Sequence, residues 1–262
     1  LLVRFTASGA IHDPNAETLT ISNPVVLIGD VRDQDPNHNA GSLRFAPDGK
    51  LLVGLGEDEV VCDAQDSTSL RGCVLRLDVS GIPATPTGPV TRAQLRPATG
   101  NPLSTPDSNA ALVWAYGLRN PWSLEVDAYT GEVYAADVGE ADYEELNQLA
   151  PGGNYGWPYR EGPLTLVRPQ CPEPGFPGNP ANGYRPPIAQ FGRDAALHAA
   201  VAGVVYRPPA NAPATWPADH RGSLFWGDYY DGWLRRLVRD ESGVWGPAPA
   251  APGQPNPTDW GT

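Results

Sequence analysis

Residues 122–140, WSLEVDAYTGEVYAADVGE, read as a β-hairpin: an apolar run with polar positions between, a turn on Thr130-Gly131, and a second apolar run closing on Gly-Glu. The same plan recurs at 41–57, GSLRFAPDGKLLVGLGE, where Ser-Leu opens the first strand, a Pro-Asp-Gly turn follows and Gly-Glu ends the second. A weaker copy is 222–238, GSLFWGDYYDGWLRRLV. Repeated hairpins at long, unequal intervals suit propeller blades separated by decorated loops, each blade covering its neighbour's edge. On this reading the hairpins at 42–57, 123–138 and 223–238 are the inner strands of successive blades, with their loops on one face. A β-sandwich with coincidentally similar hairpins is the competing architecture.

Composition points to an all-β fold as well. Gly 29 and Pro 30 in 262 residues are too many breakers for long helices but suit short strands joined by elaborate loops. The hydrophobic content of 40% is enough to bury a sizeable core. A net charge of −12 and a pI near 4.6 repel nucleic-acid phosphate and anionic lipid, and no basic arm offsets them, so nucleic acid is not an expected partner. No apolar run reaches the roughly 20 residues of a membrane span. The chain has no Met and no signal-peptide pattern, and it reads as a mature or truncated segment.

Cys62 and Cys73 bracket a short loop that a disulfide could close, although two buried free thiols explain them equally well; Cys171, in PQCPEPG, has no evident partner. The spacing does not point to zinc. A disulfide would place the chain in an oxidising compartment. Two Pro/Gly/Thr-rich stretches, 84–108 and 161–187, read as long surface loops.

Polar residues cluster at the hairpin ends. His38 lies just ahead of the first strand of its hairpin and Glu57 at the end of the second, so pairing brings both to one end, where a carboxylate can orient an imidazole. An ordinary loop histidine and an exposed strand-end Glu read the same way. Arg119-Asn120, restricted by Pro121, precedes hairpin 122–140, and an acidic run from Asp137 to Glu145 follows it. The corner either holds an anion or caps strand carbonyls; the acidic run either binds a cation or is a solvated loop.

The run GLRNPWSLEVD…TGEVYAADVGEADYEELNQLAPGGNYGWPYREG resembles the glucose/sorbosone dehydrogenase family, soluble quinoprotein sugar dehydrogenases that use pyrroloquinoline quinone and calcium. It is similar also to the related hedgehog-interacting-protein-like extracellular proteins. With PNHNAGSLRFAPDGKLLVGLGE, AQDSTSLRGCVLRLDV, AVAGVVYR and GSLFWGDYYDGWLRRL, the likeness runs from about residue 30 to residue 240.

The resemblance implies a six-bladed β-propeller, with 1–262 as one propeller domain that lacks first-blade and closing-blade material and so forms an incomplete ring. It implies pyrroloquinoline quinone and Ca²⁺ as cofactors, an aldose substrate, an external electron acceptor and a periplasmic or secreted location. His38 matches the family's catalytic base, and Glu57 the position, normally Asp, that orients it. Arg119 matches the cation that stabilises the reduced quinone, and Asn120 a hydrogen-bond donor to it. The carbonyls of Gly139 and Glu140 match the ligands of the cofactor-bridging calcium, and Glu145 with Tyr155 those of a second calcium. Tyr230 stands where the sugar dehydrogenases place a Lys; the one lysine here, Lys50, belongs to the PDGK turn. The arginines of the last blade find a counterpart only in Arg235 or Arg236. These departures support a second reading, a non-catalytic extracellular propeller, stabilised by calcium, that binds a protein or glycan.

Overall fold

The computed structural model describes residues 1–15, 17–29, 31–86, 88, 90–91, 93–103, 109–171, 183–209 and 216–261. Parts of both long loops, 104–108 and 172–182, lie outside the described residues. The fold is all-β, with three short 3₁₀ turns and no longer helix among the described residues. No helix there is long and apolar enough to cross a membrane.

Antiparallel sheets follow one another along the chain. β1 (Leu2–Ser8) and β2 (Thr20–Ile28) form a ribbon. β3 (Ala40–Phe45), β4 (Leu51–Leu55) and β5 (Cys73–Asp78) begin the second sheet, and β6 (Arg96–Pro97) and β7 (Val113–Tyr116) extend it beyond β5. β8 (Ser123–Val126), β9 (Val133–Asp137) and β10 (Tyr143–Leu149) begin the third. β11 (Gly153–Asn154) pairs parallel with β7, and β12 (Arg160–Glu161) with β13 (Leu164–Thr165) makes a small hairpin. β14 (Ala189–Gly192) completes the third sheet on β10. β15 (Ala200–Val205), β16 (Leu224–Asp228), β17 (Leu234–Arg239) and β18 (Trp245–Pro247) form the last. Among the described residues no sheet closes on itself.

The two-residue period of a strand explains how the sheets stack. β4, LLVGL, is buried throughout because it has no solvent face. Leu51, Val53 and Leu55 enter one core with Leu27 and Ile28 of the ribbon, while Leu52 enters the next with Trp114 and Leu124. Likewise Val133 and Ala135 of β9 share the core of Leu52, whereas Tyr134 and Ala136 meet Leu146, Ala200 and Trp226 in a third. Fully burying a side chain such as Leu52 contributes roughly 1.5–3 kcal/mol.

The first strands of three sheets, β3, β8 and β15, lie beside one another. Hairpins 42–57 and 123–138 are β3–β4 and β8–β9, the first pairs of their sheets, as their sequences predict. The third echo is displaced: 223–238 is β16–β17, the second and third strands, and β15 takes the inner place. Its small side chains let the backbone approach β8, where the Ala202 amide donates to Ser123 Oγ at 2.6 Å.

The Cys62–Cys73 pairing does not form. Cys62 is bonded to Cys171, 109 residues away, and Cys73 is a buried free thiol. Cys73 is the first residue of β5, and strand alternation sends it with Leu75 and Leu77 into the first core. Burial pushes its thiol far up, so it does not ionise. Cys171 reaches Cys62 because the loop carrying it is fastened to the 3₁₀ turn Val61–Gln65: Gln65 Nε2 donates to Trp157 O at 2.5 Å, and Arg168 stacks on the Trp157 ring.

Closing a loop of about 100 residues is worth about 4–5 kcal/mol in the chain-entropy account of disulfides. Reductant is therefore expected to lower the melting temperature of the wild type. Cys171→Ala should melt like the reduced protein and ignore reductant, while Cys73→Ala keeps the response. Loss of that response in Cys73→Ala would contradict the pairing.

Candidate functional site

β3, β8 and β15 begin, and β4, β9 and β16 finish, at one end of the stack. The loops there enclose an open cavity of about 550 Å³, whose wall includes His38, Arg119, Asn120, Trp122, Gly139, Glu140, Arg193 and Tyr230. That volume is in the range of small-molecule sites. A larger hollow, about 680 Å³ between His220, Arg236 and Trp260, contains, of the residues named by the sequence, only Arg236.

His38 Nδ1 lies 2.6 Å from Oε1 of Glu57, whose side chain is fully buried. Glu59 Oε1 is 3.3 Å from the same nitrogen. An ionised Glu57 fixes the proton on Nδ1, which leaves Nε2 as the basic nitrogen for a group in the cavity. The pair is held by its neighbours. The Asp58 carboxylate accepts the Gln34 and Asp35 amides, each at 2.9 Å, and is ion-paired with buried Arg71. The Asp58 amide donates in turn to His38 O at 3.1 Å. His38, Asp58 and Glu59 all have left-handed backbones, φ 53°, 57° and 57°, a costly conformation for residues with side chains. Gly56 makes the approach possible, since a Cβ there would overlap the His38 carbonyl.

Arg119 and Asn120 are joined to this pair through the backbone, the Glu57 amide donating to Arg119 O at 2.9 Å. Their own amides donate to the two oxygens of Asp137, at 2.9 and 2.6 Å. The Arg119 guanidinium donates to Val138 O at 3.0 Å and Gly139 O at 2.7 Å. It therefore caps loop carbonyls while lining the cavity. Arg193, which the sequence reading passed over, donates to Gly139 O at 2.6 Å and to Glu144 Oε1 at 2.8 Å. It follows β14, and only the pairing of β14 with β10 brings it here.

The carboxylates of the acidic run are solvated only at Glu140 and Asp142. Asp137, Glu144 and Glu145 are buried. Oε1 of buried Glu161 accepts the amides of Glu140, Ala141, Asp142 and Tyr143 at 2.8, 2.9, 3.0 and 3.2 Å, so the loop wraps a carboxylate. Gly139 is required, because a Cβ would overlap Tyr143 O. Glu145 accepts from the Gly162 amide and from Asn147 Nδ2, whereas the Tyr155 hydroxyl donates to Gln148 O and accepts from the Ala150 amide. The Glu145 carboxylate and the Tyr155 hydroxyl thus serve different partners. The Gly139 carbonyl has guanidinium donors on both lone pairs, and a cation there would have to displace Arg119 and Arg193. Two guanidiniums, the Asn120 amide and the half-exposed Trp122 instead fit a flat, anionic ligand.

Tyr230 lies on the cavity wall. Lys50, at the opposite end of its hairpin, pairs with Asp78 at 3.3 Å. Neither Arg235 nor Arg236 lines the cavity: Arg235 stacks on Trp233 and binds Asp259, and Arg236 donates to Pro249 O. Arg193 lines the cavity instead.

Residues 11–191 match the family model described as Glucose / Sorbosone dehydrogenase. The chain is 32% identical over 172 residues to the HIPL1 protein of Arabidopsis thaliana, covering 62% of this chain and 24% of that protein. It is 31% identical over 123 residues to the aldose sugar dehydrogenase YliI of Escherichia coli (strain K12), covering 47% and 29%. The PQQ-bound form of aldose sugar dehydrogenase from Streptomyces coelicolor is similar with a TM-score of 0.58 and 26% identity, over 87% of this chain and 54% of that one. The chain thus spans less than a third of these curated relatives and about half of that structure.

Burial pushes Glu144 from its ordinary 4.5 up to about 7, against the opposing pull of the Ala200 amide and Arg193. Burial raises Glu145 too, and raises Asp137, which also faces Glu145. A carboxyl raised in the fold stabilises it fully below the unfolded value, near 4.5, and that contribution is lost as pH climbs through about 7. The melting temperature is therefore expected to rise as pH is lowered from about 8 to about 5. Glu144→Gln should flatten the slope, and an unchanged slope in that variant would show that the carboxyl does not carry it.

Proposed function

We propose, since the chain belongs to the glucose/sorbosone dehydrogenase family, that it forms part of a quinoprotein that oxidises the anomeric hydroxyl of aldoses and passes the electrons to an external acceptor. The observation that carries this reading is the 2.6 Å His38–Glu57 pair on the wall of the cavity that Arg119 and Arg193 also line. Pyrroloquinoline quinone, when bound, supplies the two-electron acceptor for the hydride leaving the anomeric carbon. His38 Nε2 takes the hydroxyl proton, and the Nδ1–H donated to Glu57 keeps the ring in place and stabilises the imidazolium. Arg119 and Arg193 hold fixed positive charge where negative charge develops, and Asn120 adds a neutral donor. Asp58 and Asp137 act through the backbone, holding the His38 loop and the Arg119-Asn120 corner.

Calcium belongs to this reading at the Gly139 and Glu140 carbonyls and at Glu145 with Tyr155. The first of these sites forms only where Arg119 and Arg193 turn away from Gly139 O. The accompanying architecture is a six-bladed β-propeller, with the sheets that begin at β3, β8 and β15 as successive blades. The side-by-side packing of those strands and the structural likeness to the Streptomyces enzyme support it. A periplasmic or secreted location is supported by the Cys62–Cys171 disulfide. The likeness to HIPL1 and the Tyr230 position favour a second reading, a non-catalytic propeller that binds a protein or glycan.

Dye reduction by aldoses, measured on the full-length protein reconstituted with quinone and Ca²⁺, tests the proposal. His38→Ala is expected to lower turnover by about 10² or more while quinone binding stays nearly intact. Arg119→Ala should impair both, and Glu57→Gln should cost less than His38→Ala because it keeps a hydrogen bond. Equal activity with and without His38 would sink the mechanism, and a protein that binds no quinone would belong to the second reading.

A further inference from the structure

A second histidine stands on the same cavity wall, on the segment that leads into β15. His198 is only 6% exposed, and Phe191 packs edge-on against its ring at 5.4 Å. Nε2 lies 3.2 Å from Asp194 Oδ1. Nδ1 has no hydrogen-bond partner, yet Asp228 Oδ2 and Asp231 Oδ2 stand 3.4 and 3.6 Å from it. Asp228 is itself buried and fixed: the Ala199 amide donates to Oδ2 at 2.9 Å, and the Tyr230 and Asp231 amides donate to Oδ1 at 2.9 and 2.6 Å.

With the ring proton on Nε2 for Asp194, the Nδ1 lone pair converges on two carboxylate oxygens. With His198 and Asp228 buried and Asp231 half-exposed, the three electron-rich atoms leave a place where a cation would offset their repulsion. Arg193 does not serve, being engaged by Glu144 and Gly139 O. Distances of 3.4 and 3.6 Å are long for an N–H···O bond. They match the edge of a tetrahedron around an ion with bonds of about 2.0–2.2 Å, an edge of roughly 3.3–3.6 Å. All three ligand atoms lie within 4.8 Å of one another.

We propose that His198, Asp228 and Asp231 bind a borderline divalent transition ion of the Zn²⁺ class, with Asp194 orienting the imidazole. The nitrogen ligand sets the class, since Ca²⁺ and Mg²⁺ favour all-oxygen shells. Asp194 on the far nitrogen plays the part of the outer carboxylate that fixes ring and tautomer in metal–histidine sites. Asp231 stands at the solvent edge, which leaves a fourth position for water. The ion clips the segment before β15 to the turn after β16, and both form the cavity wall beside Tyr229 and Tyr230. The site stands whether or not the cavity holds a quinone.

The test is titration of the metal-free chain with Zn²⁺ by calorimetry and with Co²⁺ by visible absorption, whose d–d bands distinguish tetrahedral from octahedral coordination. One ion per chain with a tetrahedral Co²⁺ spectrum is expected. Asp231→Asn and His198→Gln should each weaken binding at least tenfold, and Asp194→Asn by about tenfold. Asp231 lies in an exposed turn, so its variant keeps the test valid where His198→Gln fails to fold. His38→Gln should leave the affinity unchanged, because His38, Glu57 and Glu59 form the other candidate cluster. Absence of binding, binding equal in Asp231→Asn and wild type, or binding lost only in His38→Gln would overturn the proposal. In the first case an imidazolium held by Asp194 and Asp228 replaces the ion.

Discussion

Asp58, Asp137, Glu161 and Asp228 are buried near strand ends, and each accepts two or more backbone amides from a loop on the cavity face. Loops rich in Pro and Gly have few side chains with which to define themselves, and their amides must find acceptors once buried. A carboxylate with two oxygens satisfies several at once through charge-assisted bonds. Burying the charge is expensive, and for Asp58 the ion pair with Arg71 offsets that cost. Removing Arg71 would leave Asp58 buried without its cation, at about 3–5 kcal/mol, whereas Arg71 without Asp58 keeps Asp63 at 2.7 Å.

This arrangement gives part of the chain's acidity a structural role in holding backbone amides. In the run from Asp137 to Glu145, three carboxylates are buried as anchors, while Glu140 is exposed and ion-pairs with Arg168. Asp137 and Glu145 are register partners on adjacent strands, so their side chains share a face, and their repulsion adds to the burial that raises Asp137. Acids used to hold backbone are also kept in position to orient cations, and Arg193 reaches the cavity on the shoulder of Glu144.

What could be read from the sequence was local or periodic. The apolar runs at Leu51–Leu55 and Val133–Asp137 identify the second strands of their hairpins, and the hairpin geometry alone brings His38 and Glu57 to one end. What escaped reading depended on long-range pairing. The echo at 223–238 carries the same turn signals as the others, yet β15, a plain small-residue strand without a turn motif, takes the inner place. Cys171 finds Cys62 only because Gln65 and Arg168 both grip Trp157. Glu161 and Arg193 lie in stretches with no periodicity, and their partners are 18 or more residues away.

Tyr230 puts a neutral phenol on the wall, and the positive charge there comes from elsewhere. A lysine there would bring a mobile ammonium from the turn after β16; in its place stand a neutral phenol and, from the end of β14, a guanidinium fixed by Glu144. Arg119 and Arg193 both donate to one neutral oxygen, that of Gly139. Two like charges meet at a neutral acceptor, with the Glu144 carboxylate on Arg193 and Asp137 close to Arg119, and the low-dielectric surroundings strengthen their mutual repulsion. An anion entering the cavity would satisfy both guanidiniums better than the carbonyl does, whereas a divalent cation would meet their repulsion first. At the Gly139 carbonyl, therefore, the two guanidiniums oppose a cation.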